Sequence, residues 1–141
     1  MEPIDGVAIL RRAGLRSTPQ RQAIVRVVMA ANHPTVAQVY NEVRREFPTI
    51  GLATVYNTLH RMTERGVVRE LPFVNATRFD GNVEPHANLV CRSCGAIGDS
   101  SDCDDLLAQL RSRVASEQGF VPEQERIDVY GLCRACAASL Q

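Results

Sequence analysis

The chain has 141 residues, of which 45% are hydrophobic, so it can bury a core as one domain or as two small ones. No apolar run approaches the length of a transmembrane helix, and residues 1–5 lack the basic and apolar pattern of a signal peptide. The sequence therefore predicts a cytosolic protein, a setting in which cysteines are more often metal ligands than disulfides.

The net charge of zero conceals two halves of opposite sign. Residues 1–81 contain 11 arginines and 7 acidic residues, a net charge of +4. Residues 82–141 contain 5 arginines and 9 acidic residues, a net charge of −4, and the chain has no lysine. We therefore predict two domains with this boundary, a basic one that can face a polyanion and an acidic one that can hold cations.

The pattern of residues 1–81 predicts three helices followed by a hairpin. Ser17 or Thr18 caps the first helix just before Pro19, Thr35 caps the second, and Gly66 ends the third. The predicted helices span about residues 19–31, 36–47 and 52–65, and the predicted strands span residues 67–71 and 77–80, joined around residues 72–76. This order is typical of a winged helix-turn-helix.

Residues 82–141 follow a predicted hinge at Gly81 and Asn82 and have the pattern of a small α/β domain. Short strands are predicted at residues 86–91, 96–99, 120–121 and 127–130. A helix over residues 104–117 should turn an apolar stripe inward, formed by Leu106, Leu107, Leu110 and Val114. The predicted fold class is therefore α+β, with an N-terminal winged helix-turn-helix and a C-terminal α/β domain.

Four of the five cysteines form two C-x2-C pairs, Cys91 with Cys94 and Cys133 with Cys136. Each pair can hold a metal ion from a tight turn, and two pairs complete a tetrahedron of thiolate ligands, the arrangement that zinc prefers. Because four protein ligands leave no open position for a substrate, we predict a structural zinc. Disulfides, unconnected thiols, a rubredoxin-like iron site and a redox dithiol are the alternatives.

The third predicted helix has two contrasting faces. Apolar residues recur on one face and should pack on the other helices: Leu52, Val55, Leu59 and Met62. The opposite face carries Ala53, Thr54, Tyr56, Asn57, His60 and Arg61. Such side chains read base edges and thymine methyls in a major groove, although an ordinary solvated face shows the same pattern. Candidates for contacts that position this helix on the DNA backbone are Arg16, Thr18, Arg21 and Arg78.

Several motifs of the chain occur in the same order in ferric uptake regulator proteins. They are Thr18-Pro19-Gln20-Arg21, His33-Pro34-Thr35, Leu52-Ala53-Thr54-Val55-Tyr56-Asn57-Thr58-Leu59, Gly66-Val67-Val68, Arg78-Phe79-Asp80 and the two cysteine pairs. From about residue 5 to residue 137 the chain therefore resembles this family. The resemblance implies a homodimeric repressor that binds double-stranded operator DNA, with base contacts from Tyr56, a C-terminal dimerisation domain, a structural Zn²⁺ and a regulatory metal at the hinge.

The resemblance also implies a ligand set for the regulatory metal, Fe²⁺ or Mn²⁺. The matching positions are His33, Asp80, His86 and Asp99, and Asn88 stands where the family has a further histidine. Two imidazoles and two carboxylates suit Mn²⁺, Fe²⁺ or Zn²⁺, and the amide oxygen of Asn88 is a weaker, neutral donor. Judged from the residues alone, His33 would first be interpreted as a packing or capping residue beside Pro34.

Two further positions bear on metal and redox chemistry. Glu125 stands where relatives often have a metal-binding histidine, so we expect a solvated strand residue there rather than a second cation site. Cys103 lies near the start of the helix at Asp104, where the helix dipole favours a thiolate but neighbouring aspartates oppose it. We expect an ordinary thiol at Cys103, with a redox role as the alternative.

The leading functional hypothesis is a metal-dependent transcriptional repressor. Asp80 favours the peroxide-sensing branch of the family, in which bound Fe²⁺ reacts with peroxide and oxidises a ligand histidine, whereas Asn88 argues against it. The alternative within the family is a regulator of iron, manganese or zinc homeostasis. Outside the family, a small zinc enzyme or metal-storage protein is disfavoured, because the four-cysteine site is closed and no nucleophile–base arrangement is evident.

Overall fold

The structure, a computed structural model, describes residues 5–73, 76–100 and 102–140. The chain divides into two compact units, Met1–Val83 and Glu84–Gln141. Part of the predicted connection between the hairpin strands, residues 74 and 75, lies outside the described residues, as do residues 1–4 of the segment tested for a signal peptide. Each helix among the described residues is too short or too polar to cross a bilayer.

The described residues of the first unit form four helices, α1 Gly6–Arg12, α2 Pro19–Ala30, α3 Val36–Glu46 and α4 Leu52–Glu64. The predicted caps are confirmed: Thr18 accepts a hydrogen bond from the backbone N–H of Arg21, and Thr35 forms a capping box with Gln38. Helix α4 ends at the expected place, where Gly66 has a φ of 71°, a conformation that glycine adopts without steric strain.

Helix α1 was not predicted from the sequence. Asp5 caps it by accepting a hydrogen bond of 3.1 Å from the backbone N–H of Ala8, and the helix buries Leu10 completely. Because α1 is only seven residues long, its apolar repeat covers two turns, too few to distinguish a helix from an extended segment.

The core of the first unit is formed by the inward faces of the four helices and the hairpin. Its fully buried members include Ile24, Val28, Val39, Val43, Val55, Leu59 and Met62. The prediction for Leu52 was wrong, since this side chain is 52% exposed, and Thr58 is buried in the stripe instead. Leu52 lies in the first turn of α4, one turn before the exposed Tyr56, and therefore at the edge of the buried face.

The wing consists of β1 Arg69–Pro72 and β2 Thr77–Asp80, paired antiparallel. Strand β1 begins later than predicted because Val67 and Val68 are buried in the core and continue directly from α4. The backbone N–H of Phe79 donates to the carbonyl of Pro34 at 2.9 Å. Strand β2 is thereby held against the connection between α2 and α3, where His33 lies.

Over the residues of the second unit that the structure describes, there are a three-stranded sheet and two helices: β3 Ala87–Cys91, β4 Ile97–Ser100, α5 Asp104–Ala115, β5 Ile127–Gly131 and α6 Arg134–Ala138. Strand β3 is central, antiparallel to β4 and parallel to β5. Three of the predicted strands and the long helix are confirmed, whereas α6 was not predicted.

Two predictions for the second unit were wrong. Phe120 and Val121 form no strand and are 59% and 77% exposed. Helix α5 was expected to bury four apolar side chains, but Leu107 alone is buried among its described residues, and Leu106 and Leu110 are 64% and 47% exposed. The apolar pattern of α5 was read correctly as a helix, and in the described part of the chain Leu106 and Leu110 of its stripe remain exposed.

Candidate metal centres and nucleic-acid interface

The two cysteine pairs meet at one end of the sheet of the second unit. Cys91 is the last residue of β3, and Cys94 follows it in a turn completed by Gly95 at a φ of 78°. Cys133 is the residue before α6, two positions after the end of β5, and Cys136 lies within that helix. Because β3 and β5 are parallel neighbours, both turns leave the sheet at the same edge, and the four sulfur atoms lie within 4.8 Å of one another.

The geometry and electrostatics of these sulfur atoms suit a tetrahedral metal ion. A tetrahedron with Zn–S bonds of about 2.3 Å separates its sulfur atoms by roughly 3.8 Å, and the Sγ atoms of Cys94 and Cys133 are 3.8 Å apart. Backbone N–H groups of Cys94 and Cys133 point at Cys91 and lower the pKa of its thiol to about 6. Sharing a proton with Cys133 raises the pKa of Cys136 to about 12. This donor set fits zinc.

A histidine–carboxylate pair lies in the first unit. His33 is 2% exposed and has a φ of 52°, a left-handed conformation that is strained for a residue other than glycine. Its Nδ1 lies 2.7 Å from Oδ1 of Asn32, and its Nε2 lies 3.2 Å from Oδ2 of Asp80. The backbone carbonyl of His33 accepts a hydrogen bond of 3.0 Å from Arg78. The ring is thus fixed from both ends.

A second pair, in the second unit, repeats this arrangement. The Nδ1 atom of His86 lies 2.7 Å from the backbone carbonyl oxygen of Glu84, and its Nε2 lies 3.3 Å from Oδ1 of Asp99. A carbonyl oxygen can only accept, so Nδ1 of His86 carries the proton, and in the neutral ring Nε2 has the lone pair. Metal-binding histidines are commonly held in this way, with the second nitrogen donating to an oxygen.

Asn88 lies on the central strand of the second unit and is 1% exposed. Its Nδ2 donates a hydrogen bond of 3.0 Å to Asp128 on β5. Among the residues that the structure describes, Oδ1 of Asn88 has no hydrogen-bond partner. Asp99 is its register partner on β4, and His86 precedes it by two positions. A buried side-chain oxygen is therefore present at the position that the sequence resemblance matched to a histidine, and its neighbour Asp128 was not predicted.

The polar face of α4 is exposed, as the sequence predicted. Tyr56 is 53% exposed, and its ring stacks on that of His60 with 6.0 Å between centroids. Ala53, Asn57 and Arg61 are also exposed, whereas Thr54 is half-buried. A polar cleft beside this face is lined by Leu15, Arg21, Thr54, Asn57, Thr58, His60, Arg61 and Glu64.

The other candidates for DNA contacts have differing surroundings. Arg16 is exposed, and its carbonyl accepts a hydrogen bond of 2.9 Å from Arg21, which brings both residues to the start of α2. Thr18 uses its hydroxyl to cap that helix. Arg78 is half-buried and donates to His33, a contact that links the wing to the first histidine pair.

The structure changes the interpretation of Glu125 and adds a detail at Cys103. Glu125 lies outside the strands, and both of its carboxylate oxygens accept from Arg111, at 3.2 and 2.9 Å. It is therefore the partner of a half-buried arginine and not a solvated strand residue. Cys103 precedes α5 with its sulfur 3.2 Å from the Ser100 hydroxyl.

Comparison with known proteins agrees with this arrangement of a winged helix-turn-helix and a metal-binding α+β unit. The profile of the ferric uptake regulator family matches residues 12–130. The peroxide-responsive repressor PerR of Staphylococcus epidermidis is 37% identical over 135 residues, which cover 94% of this chain and 88% of that relative.

Solved structures show the same similarity. The Campylobacter jejuni peroxide stress regulator superposes with a TM-score of 0.77 at 30% identity, over 94% of this chain and 100% of that one. The Vibrio cholerae ferric uptake regulator superposes with a TM-score of 0.71 at 28% identity, over 92% and 100%. These proteins define a class of metal-responsive repressors of transcription. The chain belongs to the ferric uptake regulator family.

Proposed function

We propose that this chain is a homodimeric, cytoplasmic repressor that binds operator DNA when a regulatory Fe²⁺ or Mn²⁺ is bound, and that releases DNA when peroxide oxidises the iron-loaded site. The observation that carries the proposal is the repeated histidine–carboxylate pair, in which Nδ1 faces an oxygen and Nε2 faces a carboxylate. The names of the Staphylococcus and Campylobacter relatives, a peroxide-responsive repressor and a peroxide stress regulator, support the choice of signal.

Two sets of ligands follow from this proposal. Cys91, Cys94, Cys133 and Cys136 hold a structural Zn²⁺, supported by their common edge of the sheet and their sulfur separations. The regulatory ion takes His33, Asp80, His86, Asn88 and Asp99 as ligands. Two carboxylates balance the charge of a divalent cation, and nitrogen and oxygen donors together suit Fe²⁺ and Mn²⁺. The two sets share no residue.

The regulatory ion would act by favouring one conformation of the protein. Its proposed ligands come from residues 33 and 80 of the first unit and from residues 86–99 of the second. A bound ion strengthens repression only to the extent that it binds the DNA-competent conformation more tightly than the others. The same linkage requires operator DNA to tighten metal binding by the same factor.

The DNA contacts are assigned to the exposed face of α4 and to arginines near it. Ala53, Thr54, Tyr56 and Asn57 would read base edges in the major groove, and all but Thr54 are exposed. Arg16, Arg21, Arg61 and Arg78, with the Thr18 turn, would contact or orient the phosphate backbone.

Peroxide treatment of the Fe²⁺-loaded and Mn²⁺-loaded proteins tests this proposal. We expect both forms to bind operator DNA, and only the iron form to gain an oxygen atom on His33 or His86 and to release DNA, as seen by mass spectrometry and DNA-binding titration. His33→Ala should remove the metal dependence while leaving the zinc content unchanged. If the iron form keeps its DNA and unmodified histidines, peroxide sensing is wrong and a metal-homeostasis regulator remains. DNA binding that ignores both metals would reject the regulatory site itself.

A further inference from the structure

The proposed ligand Asn88 is the buried centre of a row of three polar side chains across the sheet of the second unit. Asp99 on β4, Asn88 on β3 and Asp128 on β5 are register partners, so their side chains share one face. Asp99 contacts His86 through its Oδ1 atom. Asp128 is the member of this row to which neither the sequence nor the proposed function gives a role.

The hydrogen bond between Asn88 and Asp128 fixes which way the amide points. A carboxylate only accepts hydrogen bonds, so the group that Asn88 turns to Asp128 at 3.0 Å must be its NH₂ group. The carbonyl oxygen, on the other arm of the same planar amide, is then turned away from Asp128. Within the described residues this buried oxygen has no hydrogen-bond donor, and such an atom is costly unless a cation or donor approaches it.

Asp128 is itself held in place by Arg126. Nε of Arg126 lies 3.0 Å and 3.3 Å from the two carboxylate oxygens, and a second guanidinium nitrogen lies 2.9 Å from Oδ2. The Asp128 side chain is 14% exposed. With Oδ2 on Arg126 and Oδ1 shared between Arg126 and Asn88, the carboxylate is neutralised and its lone pairs are directed at protein donors. It is thus suited to orient a ligand and not to be one.

We propose that Asp128 is a positioning residue that, held by Arg126, locks the Asn88 amide so that its oxygen faces the regulatory metal. The inference rests on the proposed function, because it takes that metal to be bound by Asn88. It assigns to this chain an oxygen donor of fixed orientation at the position where relatives have an imidazole. Without this hydrogen bond, the Asn88 amide could rotate and turn its NH₂ group toward the metal ion. The partial positive charge of the NH₂ group would then repel the cation.

Two substitutions with the same change of charge separate orientation from electrostatics. Asp128→Ala removes both acceptors, whereas Asp128→Asn keeps an oxygen that can accept from Asn88. If Asp128 acts by orienting the Asn88 amide, Asp128→Ala should weaken Mn²⁺ binding roughly tenfold or more. Asp128→Asn should then retain most of the Mn²⁺ affinity. Calorimetric titration with Mn²⁺ measures both, with zinc content and thermal melting as checks of folding. Equal losses in the two variants would mean that Asp128 acts through its charge, and would overturn the inference.

A double-mutant cycle tests whether the effect passes through Asn88. In an Asn88→Ala background, Asp128→Ala should change Mn²⁺ affinity little, because no amide remains to be oriented. Additive losses would contradict the inference.

The orientation can also be measured without metal. In the protein loaded only with zinc, the side-chain NH₂ protons of Asn88 should exchange slowly with water, as measured by NMR. Asp128→Ala should make this exchange fast. Fast exchange in the wild-type protein would overturn the locked orientation. If the wild-type protein binds no Mn²⁺, the proposed metal site is wrong, and so is the ligand role of Asn88. The exchange rate of the Asn88 NH₂ protons would still show whether Asp128 holds the amide in one orientation.

Discussion

Each histidine of the two pairs is oriented by an oxygen from one of the two residues that precede it in the chain. Asn32 supplies this oxygen for His33, and the carbonyl of Glu84 supplies it for His86. In both cases Nδ1 is the bonded nitrogen, and Nε2 therefore faces the carboxylate with its lone pair in the neutral ring. The arrangement favours binding of a cation between imidazole and carboxylate.

Substitution of a single cysteine tests whether the four thiols bind a structural zinc. Cys94→Ser replaces one soft sulfur donor by a hydroxyl that zinc binds poorly. We expect the variant to lose its Zn²⁺ and to unfold at a lower temperature, since the binding free energy of a structural zinc is largely folding free energy. Metal analysis and thermal melting measure the two effects, and Cys103→Ser serves as the control that removes a thiol outside the cluster. Full zinc content in Cys94→Ser would contradict the assignment.

The sequence predicted which residues could bind metal better than it predicted the neighbouring residues that hold them in place. The C-x2-C spacing alone predicted the four-thiol cluster, because short spacing within each pair survives in almost any fold. His33, Asp80, His86 and Asp99 were found only through the family resemblance. The supporting roles of Asn32 and Asp128 were missed, because Asp128 reaches Asn88 only in the particular register of β3 against β5.

At the scale of elements, long amphipathic helices and their caps were predictable. Helices α2, α3 and α4 were placed within a few residues because local capping and an apolar period of several turns agree. Short elements were not: α1 and α6 have seven and five residues. The strand predicted at Phe120 and Val121 failed because β propensity is realised only where a neighbouring strand is available.

For helix α4, we predict which substitutions change DNA sequence preference and which change DNA affinity alone. Replacing Tyr56 or Asn57 by Ala should reduce discrimination between operator and random DNA by about 1–3 kcal/mol, because base contacts are lost. Arg21→Ala should instead weaken binding to both sequences alike and flatten its salt dependence, since a phosphate contact carries no sequence information. Fluorescence titrations with both DNAs at several salt concentrations measure these effects. Unchanged operator preference in a folded Tyr56→Ala protein would rule out base reading by α4.

In the second unit of the molecule, several large apolar side chains are exposed. On the sheet, the register partners Leu89 and Val129 are 44% and 53% exposed. On α5, Leu106 and Leu110 form a stripe at a spacing of one turn. Exposed apolar patches often mark interfaces. Of these four residues, Leu106 and Leu110 were predicted to lie inward, which is the pattern expected when a second copy of the chain supplies the covering surface.

We therefore predict that Leu110→Glu dissociates the homodimer. In a twofold-symmetric interface each substitution occurs twice. With about 1.5–3 kcal/mol lost per buried leucine, the dissociation constant should rise at least about a hundredfold. Gln109→Glu is the matched control, because it introduces the same charge at the residue directly before Leu110 in α5. Gln109 is polar and exposed. Sedimentation analysis over a range of protein concentrations compares the two, and zinc content confirms that each is folded. If both variants remain dimeric at the same concentrations, α5 does not contribute to the interface, and the dimer must use the sheet face around Leu89 and Val129 or another surface.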